Sequence, residues 1–176
     1  MGDIDHDSAL LTHLEEIYST FAETPADAAA LLAARTLFAL GAQDAFIATL
    51  SGDRSTIDVA RVTSESERPS RLAIPVGASY PIAQVFRDGQ ELFIENNEQL
   101  RCDHPGLVRV RGEDHACATL ALHDSDGTLL GALNVGFDRP HPFSDEERVA
   151  LAALAEGCET ILRAAASRPN GQGQTL

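Results

Sequence analysis

The chain has 176 residues, a length that suits one domain of the usual ~100–200 residues. Apolar residues make up 44% and charged residues 23%, close to the globular average, which excludes wholesale disorder. No apolar run approaches about 18 residues, so the sequence carries no membrane-spanning helix signal. All 13 cations are Arg, and against 27 acids they leave a net charge of −14, which repels phosphate backbones and anionic lipid. No basic patch offsets it, so nucleic-acid and membrane-surface partners are not expected. The opening Met1-Gly2-Asp3-Ile4-Asp5-His6-Asp7 is acidic where a secretory signal is basic, and the expectation is a cytoplasmic protein. Cys102, Cys117 and Cys158 lack metal-ligand spacing and read as free thiols. P-loop, dinucleotide-fingerprint, HExxH and nucleophile-elbow motifs are missing, which removes those chemistries.

In chain order, Leu10, Leu14, Ile17 and Phe21 recur at helical spacing, predicting an amphipathic helix over residues 8–22. Thr24-Pro25-Ala26-Asp27 reads as an N-cap, a first-turn proline and a capping acid, opening a second helix that stops at Gly41. Ala45–Leu50 and Thr56–Val62 flank Ser51-Gly52-Asp53-Arg54 and predict a hairpin. Ser64–Ser70 is polar and reads as a loop, followed by a short edge strand Leu72-Ala73-Ile74-Pro75. Tyr80–Phe86 predicts a short helix ending near Gly89, and Glu91–Ile94 a short strand. Asn96–Asp114 has weak periodicity, broken at His104-Pro105-Gly106. His115–Leu122 and Thr128–Phe137 flank Asp124-Ser125-Asp126-Gly127, the strongest hairpin signal in the chain. Ser144-Asp145-Glu146-Glu147 is a capping box opening a long helix with Leu151, Leu154, Cys158, Ile161 and Ala165 on one face. Residues 167–176 are Gly-, Gln- and Pro-rich and are expected to be a disordered tail.

This order implies an α+β fold, an antiparallel sheet with helices on one face. Its strands are apolar on both faces, so the middle segment must cover the other. Gly131 and Gly136 thin one strand, allowing close approach of a neighbouring element or a ligand.

The arrangement from Thr24 to Ala166 resembles the GAF domain family of small-molecule sensors. The resemblance rests on Ala116–Leu122, Gly127–Leu133 and Arg139-Pro140-His141-Pro142-Phe143-Ser144-Asp145-Glu146-Glu147, with Gly89–Ile94 and His104-Pro105-Gly106-Leu107 in the expected order. It implies a GAF/PAS-like central sheet of five to six strands, N- and C-terminal helices on one face and short helices and loops capping the other. Residues 1–23 would then be an N-terminal helix and dimerisation segment, 24–166 the GAF domain and 167–176 the tail. The function it implies is non-catalytic sensing or regulation in signal transduction. The expected partners are a small-molecule ligand, a second copy in a homodimer and a downstream signalling protein.

Tyr80, Ile82, Phe86, His104, Leu107, Cys117 and Thr119 are the expected ligand-binding residues, placed in the cover or on the strand it faces. No catalytic residue, metal ligand or cofactor is assigned. Other readings stay open. Cys102 and Cys117 suit a cysteine-based free methionine-R-sulfoxide reductase, a class within the same family, although no cysteine lies between Tyr80 and Phe86 where a resolving thiol is expected. His104-Pro105 resembles a haem ligand of some family sensors, whereas Gly136-Phe137-Asp138 lacks the Cys-His pair of bilin attachment. Arg101, Arg109 and Arg111, interleaved with Asp103, Glu113 and Asp114, form either an anion clamp or a solvated, self-paired loop. The remaining alternative is a module for protein interaction alone, with an apolar surface patch in place of a cavity.

Overall fold

A computed structural model describes residues 24–105 and 115–166. The predicted helix 8–22, its dimerisation stripe, Leu107 and the 167–176 tail lie outside the described residues.

The first helix, α1 (Pro25–Phe38), opens on the capping box legible in the sequence. Asp27 N–H donates to Thr24 Oγ1 at 3.3 Å, and Thr24 N–H donates to Asp27 Oδ2 at 2.9 Å. Ala28, Ala29, Ala30, Ala33 and Ala34 are all buried. Alanine is the best helix former, and its small side chain lets α1 lie close on the sheet. The helix ends at Phe38 with Ala39 as a right-handed cap, three residues before the expected stop. Gly41 takes φ +85° in the turn that follows.

Six strands make one sheet: β1 (Asp44–Leu50), β2 (Thr56–Thr63), β3 (Ser66–Pro75), β4 (Leu92–Ile94), β5 (Ala116–His123) and β6 (Leu129–Phe137). Their spatial order is β3-β2-β1-β6-β5-β4, with every neighbouring pair antiparallel. Both predicted hairpins are present. The Asp-Gly turn of the second holds Gly127 at φ +82°.

Side chains alternate across the sheet. Ile47, Leu120, Leu122, Leu133 and Val135 face α1 and the long last helix α4 (Asp145–Ala166), which buries Leu151, Cys158 and Ile161 among them. Full burial of one such aliphatic side chain is worth roughly 1.5–3 kcal/mol. The Leu151-Cys158-Ile161 stripe is therefore occupied by its own chain. Phe46, Ala48, Ile57, Val59, Ala121 and Ala132 face the other way, where α2 (Pro81–Asp88) packs Ile82, Ala83 and Val85 on them. Gly89 ends α2 at φ +67°, in the left-handed conformation expected there.

Two segments differ from expectation. Ser64–Ser70 is not a loop: β3 begins at Ser66 and pairs with β2 along its length. Being an edge strand, it shows water rather than apolar neighbours to much of its side-chain surface. Within the weakly periodic stretch, Asn97–Asp103 forms α3, where Asn96 Oδ1 accepts from Gln99 N–H at 3.1 Å.

A polar clamp fixes the start of α4. Ser144 N–H donates to Glu147 Oε2 at 2.9 Å, Glu147 N–H donates to Ser144 Oγ at 3.2 Å, and His141 Nε2 meets Glu147 Oε1 at 2.9 Å. The His141 ring stacks on Phe137 with centroids 3.9 Å apart. The Ser144 backbone N–H, more than His141, holds the Glu147 carboxyl below its ordinary value of 4.5. Glu147 therefore stabilises the fold above that value, and the contribution drains away as pH falls through the lower folded value. Glu147→Gln keeps the cap but should lose less melting temperature than wild type between about pH 6 and about pH 3. Equal losses would contradict the clamp.

Gly131 is needed for space. A Cβ there would sit 2.4 Å from the Ala48 backbone carbonyl, so the close approach anticipated at this glycine is made by the neighbouring strand. Gly131→Ala should cost roughly 1–3 kcal/mol in denaturant unfolding. Gly52→Ala, with nothing within 4 Å of the added methyl, should stay within about 0.5 kcal/mol.

Candidate functional site

On the sheet face that α2 covers, the registers align one rung across all six strands: Ser70, Arg61, Phe46, Asn134, Thr119, Leu92. An amide in the middle of an apolar strand needs partners, and Thr119 supplies one. Its hydroxyl donates to Asn134 Oδ1 at 2.8 Å, between side chains that are directly opposed across β5 and β6. Asn134 is only 4% exposed, and its Nδ2 has no hydrogen-bond partner among the described residues. It lines a cavity of about 380 Å³ together with Phe46, Ile74, Tyr80, Ile82 and Cys117. The volume and mainly apolar wall are those of a small-molecule site.

The chain builds this cavity from three directions. Phe46, Asn134 and Cys117 rise from adjacent central strands, Leu72 and Ile74 from edge strand β3, and Tyr80, Pro81 and Ile82 from the first turn of α2. Among the described residues, no Arg, Asp, Glu or His lines it. The charges on the same face pair with each other instead: Arg61 Nη2 lies 2.5 Å from Asp44 Oδ2.

Of the seven expected site residues, Tyr80, Ile82 and Cys117 come together at this cavity. Thr119 is not among its lining residues and reaches it through Asn134, its neighbour across the sheet. Phe86 does not line it. It sits one helical turn, about 6 Å, further along α2 and packs into the apolar cluster there. His104 turns elsewhere as well. Its Nδ1 lies 3.2 Å from the Ser79 carbonyl, which can only accept, so Nδ1 carries the proton. The ring borders a separate depression of about 440 Å³ with Cys102, Asp103, Gln84 and Gln99. Leu107 lies outside the described residues, as do Arg109, Arg111, Glu113 and Asp114 of the proposed anion clamp.

Phe46, Asn134, Leu72 and Ile74 were not legible as site residues. Strand alternation gives each a face, but only the register puts Phe46 beside Asn134.

A larger trough of about 860 Å³ lies on the opposite side, between the start of α1, the end of α4 and β2–β3. Thr24 and Ala166, the ends of the described chain, both line it. The smaller cavity, walled by central strands and a buried amide, is the better-built candidate.

None of the three cysteines is in a disulfide. Cys117 lies in the cavity wall and Cys102 is exposed on α3. Cys158 is on the other side of the sheet, its thiol directed at the Ala29 carbonyl at 3.7 Å. Burial, with the Glu159 charge adding, pushes its pKa up to about 12. Among the described residues no three His, Cys, Asp or Glu side chains converge as metal ligands do, and no helix is long and apolar enough to cross a membrane.

The antiparallel sheet, its helical layer and the cavity opposite define a sensor-type α+β domain, and the GAF domain family matches residues 22–163. The chain belongs to the GAF domain family. Among solved structures, it is similar to the second GAF domain of DevS from Mycobacterium smegmatis at 25% identity, covering 82% of this chain and 96% of that one with a TM-score of 0.57. The GAF domain of a phosphoenolpyruvate-protein phosphotransferase from Coxiella burnetii gives 18% identity, coverage of 89% and 94%, and a TM-score of 0.66. Free methionine-R-sulfoxide reductase from Neisseria meningitidis, solved with its substrate, gives 19% identity, 87% coverage of each chain and a TM-score of 0.62. The last two likenesses concern fold alone. A search of curated proteins finds no match.

The three thiols should separate in reactivity with a thiol-labelling reagent. Cys102 should react fast, Cys117 more slowly, and Cys158 only on unfolding, because burial disfavours its thiolate. Modification of Cys158 at the rate of Cys102 in the folded protein would contradict this placement.

Proposed function

We propose that this chain is a sensory or regulatory domain that binds a small molecule in the cavity of about 380 Å³ and does not turn it over. The observation that carries the reading is the buried amide of Asn134, held at one end by Thr119 and offered to the cavity at the other. A donor open to the cavity gains about 0.5–1.5 kcal/mol net when a bound acceptor completes it.

A route from binding to output runs through β3. This strand turns Leu72 and Ile74 to the cavity, and its alternate residue Arg71 forms an ion pair with Asp27 at the cap of α1. A ligand that prefers one position of β3 therefore biases α1 on the far side of the sheet. Hydrogen exchange in residues 24–31 should slow on ligand binding. Pairing of two chains and a downstream signalling protein complete the reading. Light scattering of the full chain tests the pairing, and a monomer at every concentration contradicts it.

Native mass spectrometry of the full chain tests the binding. Wild type should carry a small-molecule adduct, either retained from the cell or acquired from a metabolite library. Ile74→Arg, which plugs the cavity from the edge strand, should carry none. An adduct kept in Ile74→Arg would contradict the site. The similarity in fold to a sulfoxide reductase, with Cys117 in the wall, sets the competing result. Turnover of free methionine sulfoxide with thiol oxidation, abolished by Cys117→Ser, would contradict the non-catalytic reading.

A further inference from the structure

We infer that the ligand of this cavity is an uncharged molecule with an apolar body and a hydrogen-bond acceptor at one end, docked on Asn134 Nδ2. The inference rests on the small-molecule reading above and names the chemical class that the site takes.

Orientation of the Asn134 amide decides the polarity. Thr119 Oγ1 donates to Oδ1 at 2.8 Å, so the amide oxygen is engaged across the β5–β6 rung. What is left for the cavity is the NH₂ end, which can only donate. Asn134 is more than nine-tenths buried, and no described side chain or backbone carbonyl accepts from that end. A ligand donor placed there would meet a donor, and an acceptor would complete the group.

A second donor source stands on the same rim. The first turn of α2 lines the cavity through Tyr80, Pro81 and Ile82, and no side chain caps it. Pro81 has no N–H, but the Ile82 and Ala83 backbone N–H groups of this first turn have no intrahelical acceptor, so this edge also favours an acceptor.

Charge is decided by the wall. Phe46, Leu72, Ile74, Pro75 and Ile82 supply apolar surface, and among the described residues no cationic side chain lines the cavity. Arg61, on the same sheet face, is engaged by Asp44 through both Nε at 3.1 Å and Nη2 at 2.5 Å. An anion entering here would lose its hydration without a counter-ion, and the partial charge of an eight-residue helix does not replace one. A neutral carbonyl or ring nitrogen loses far less.

Three probes of one shape test this: 2-naphthamide, 2-naphthoate and 2-ethylnaphthalene, titrated into the full chain at neutral pH. The chain has no Trp and two Tyr, so naphthyl fluorescence read to the red of the tyrosine emission reports binding. The amide should bind about tenfold tighter than the hydrocarbon, the gain expected of one neutral hydrogen bond. The carboxylate should bind more weakly than the amide. Asn134→Leu should bring the amide to the affinity of the hydrocarbon and leave the hydrocarbon itself within about twofold. Thr119→Val, which frees the amide to turn while keeping the side-chain shape, should narrow the amide-to-hydrocarbon ratio if the leucine variant fails to fold. Equal binding of amide and hydrocarbon, or tightest binding of the carboxylate, would overturn the ligand class while leaving the small-molecule site standing. No binding by any of the three to a folded wild-type chain would overturn the site as well.

Discussion

The structure depends on one mismatch of lengths. Six strands spaced about 4.8 Å apart make a sheet about 24 Å wide, apolar on both faces at its centre. On one face, α1 and α4 are about 21 Å and 33 Å long and close the core. On the other, α2 spans only about 12 Å. It covers Ala121 and Ala132, and among the described residues the ground between its first turn and edge strand β3 is left unfilled. The cavity is what remains when a short helix is asked to cover a wide apolar face.

That geometry explains why so small a polar group matters. Asn134 sits on the third strand from one edge and the fourth from the other, where water does not reach along the sheet. Inside such a wall a single donor sets direction, because apolar contacts alone fix neither the end nor the orientation of a ligand. Thr119 contributes by fixing which end of the amide points upward. The same sheet carries the consequence across: β3 meets the cavity with one set of alternating side chains and the cap of α1 with the other. The proposed sensing role draws on such a strand, anchored on both faces and free along one edge.

Much of this architecture was legible in the sequence, and the exceptions have physical causes. Both hairpins and both capping boxes announce themselves through local chemistry, in the Asp-Gly turn and in the Thr24–Asp27 and Ser144–Glu147 pairs. The first half of β3 hid because Ser66, Arg68 and Ser70 belong to an edge strand and carry no apolar alternation. The helix α3, seven residues long, is too short for periodicity to register. Tyr80, Ile82 and Cys117 line the cavity because they flank the predicted cover and the strand it faces. Phe86 lies apart from it because sharing a helix face with Ile82 does not mean sharing a cavity one turn away. His104 was drawn off by the Ser79 carbonyl, a contact between residues 25 apart that no local pattern reveals. Asn134 looked like one polar residue in an apolar run, and its meaning appears only when register brings Phe46 and Thr119 to its two sides.

Xenon binding followed by isoleucine-methyl NMR measures the asymmetry between the two sheet faces directly, since xenon enters apolar cavities without needing a particular ligand. The account predicts saturable shifts for the methyls of Ile74 and Ile82 and none for Ile47 and Ile161 on the helix-covered face. Shifts confined to Ile47 and Ile161, or absent from all four, would contradict it.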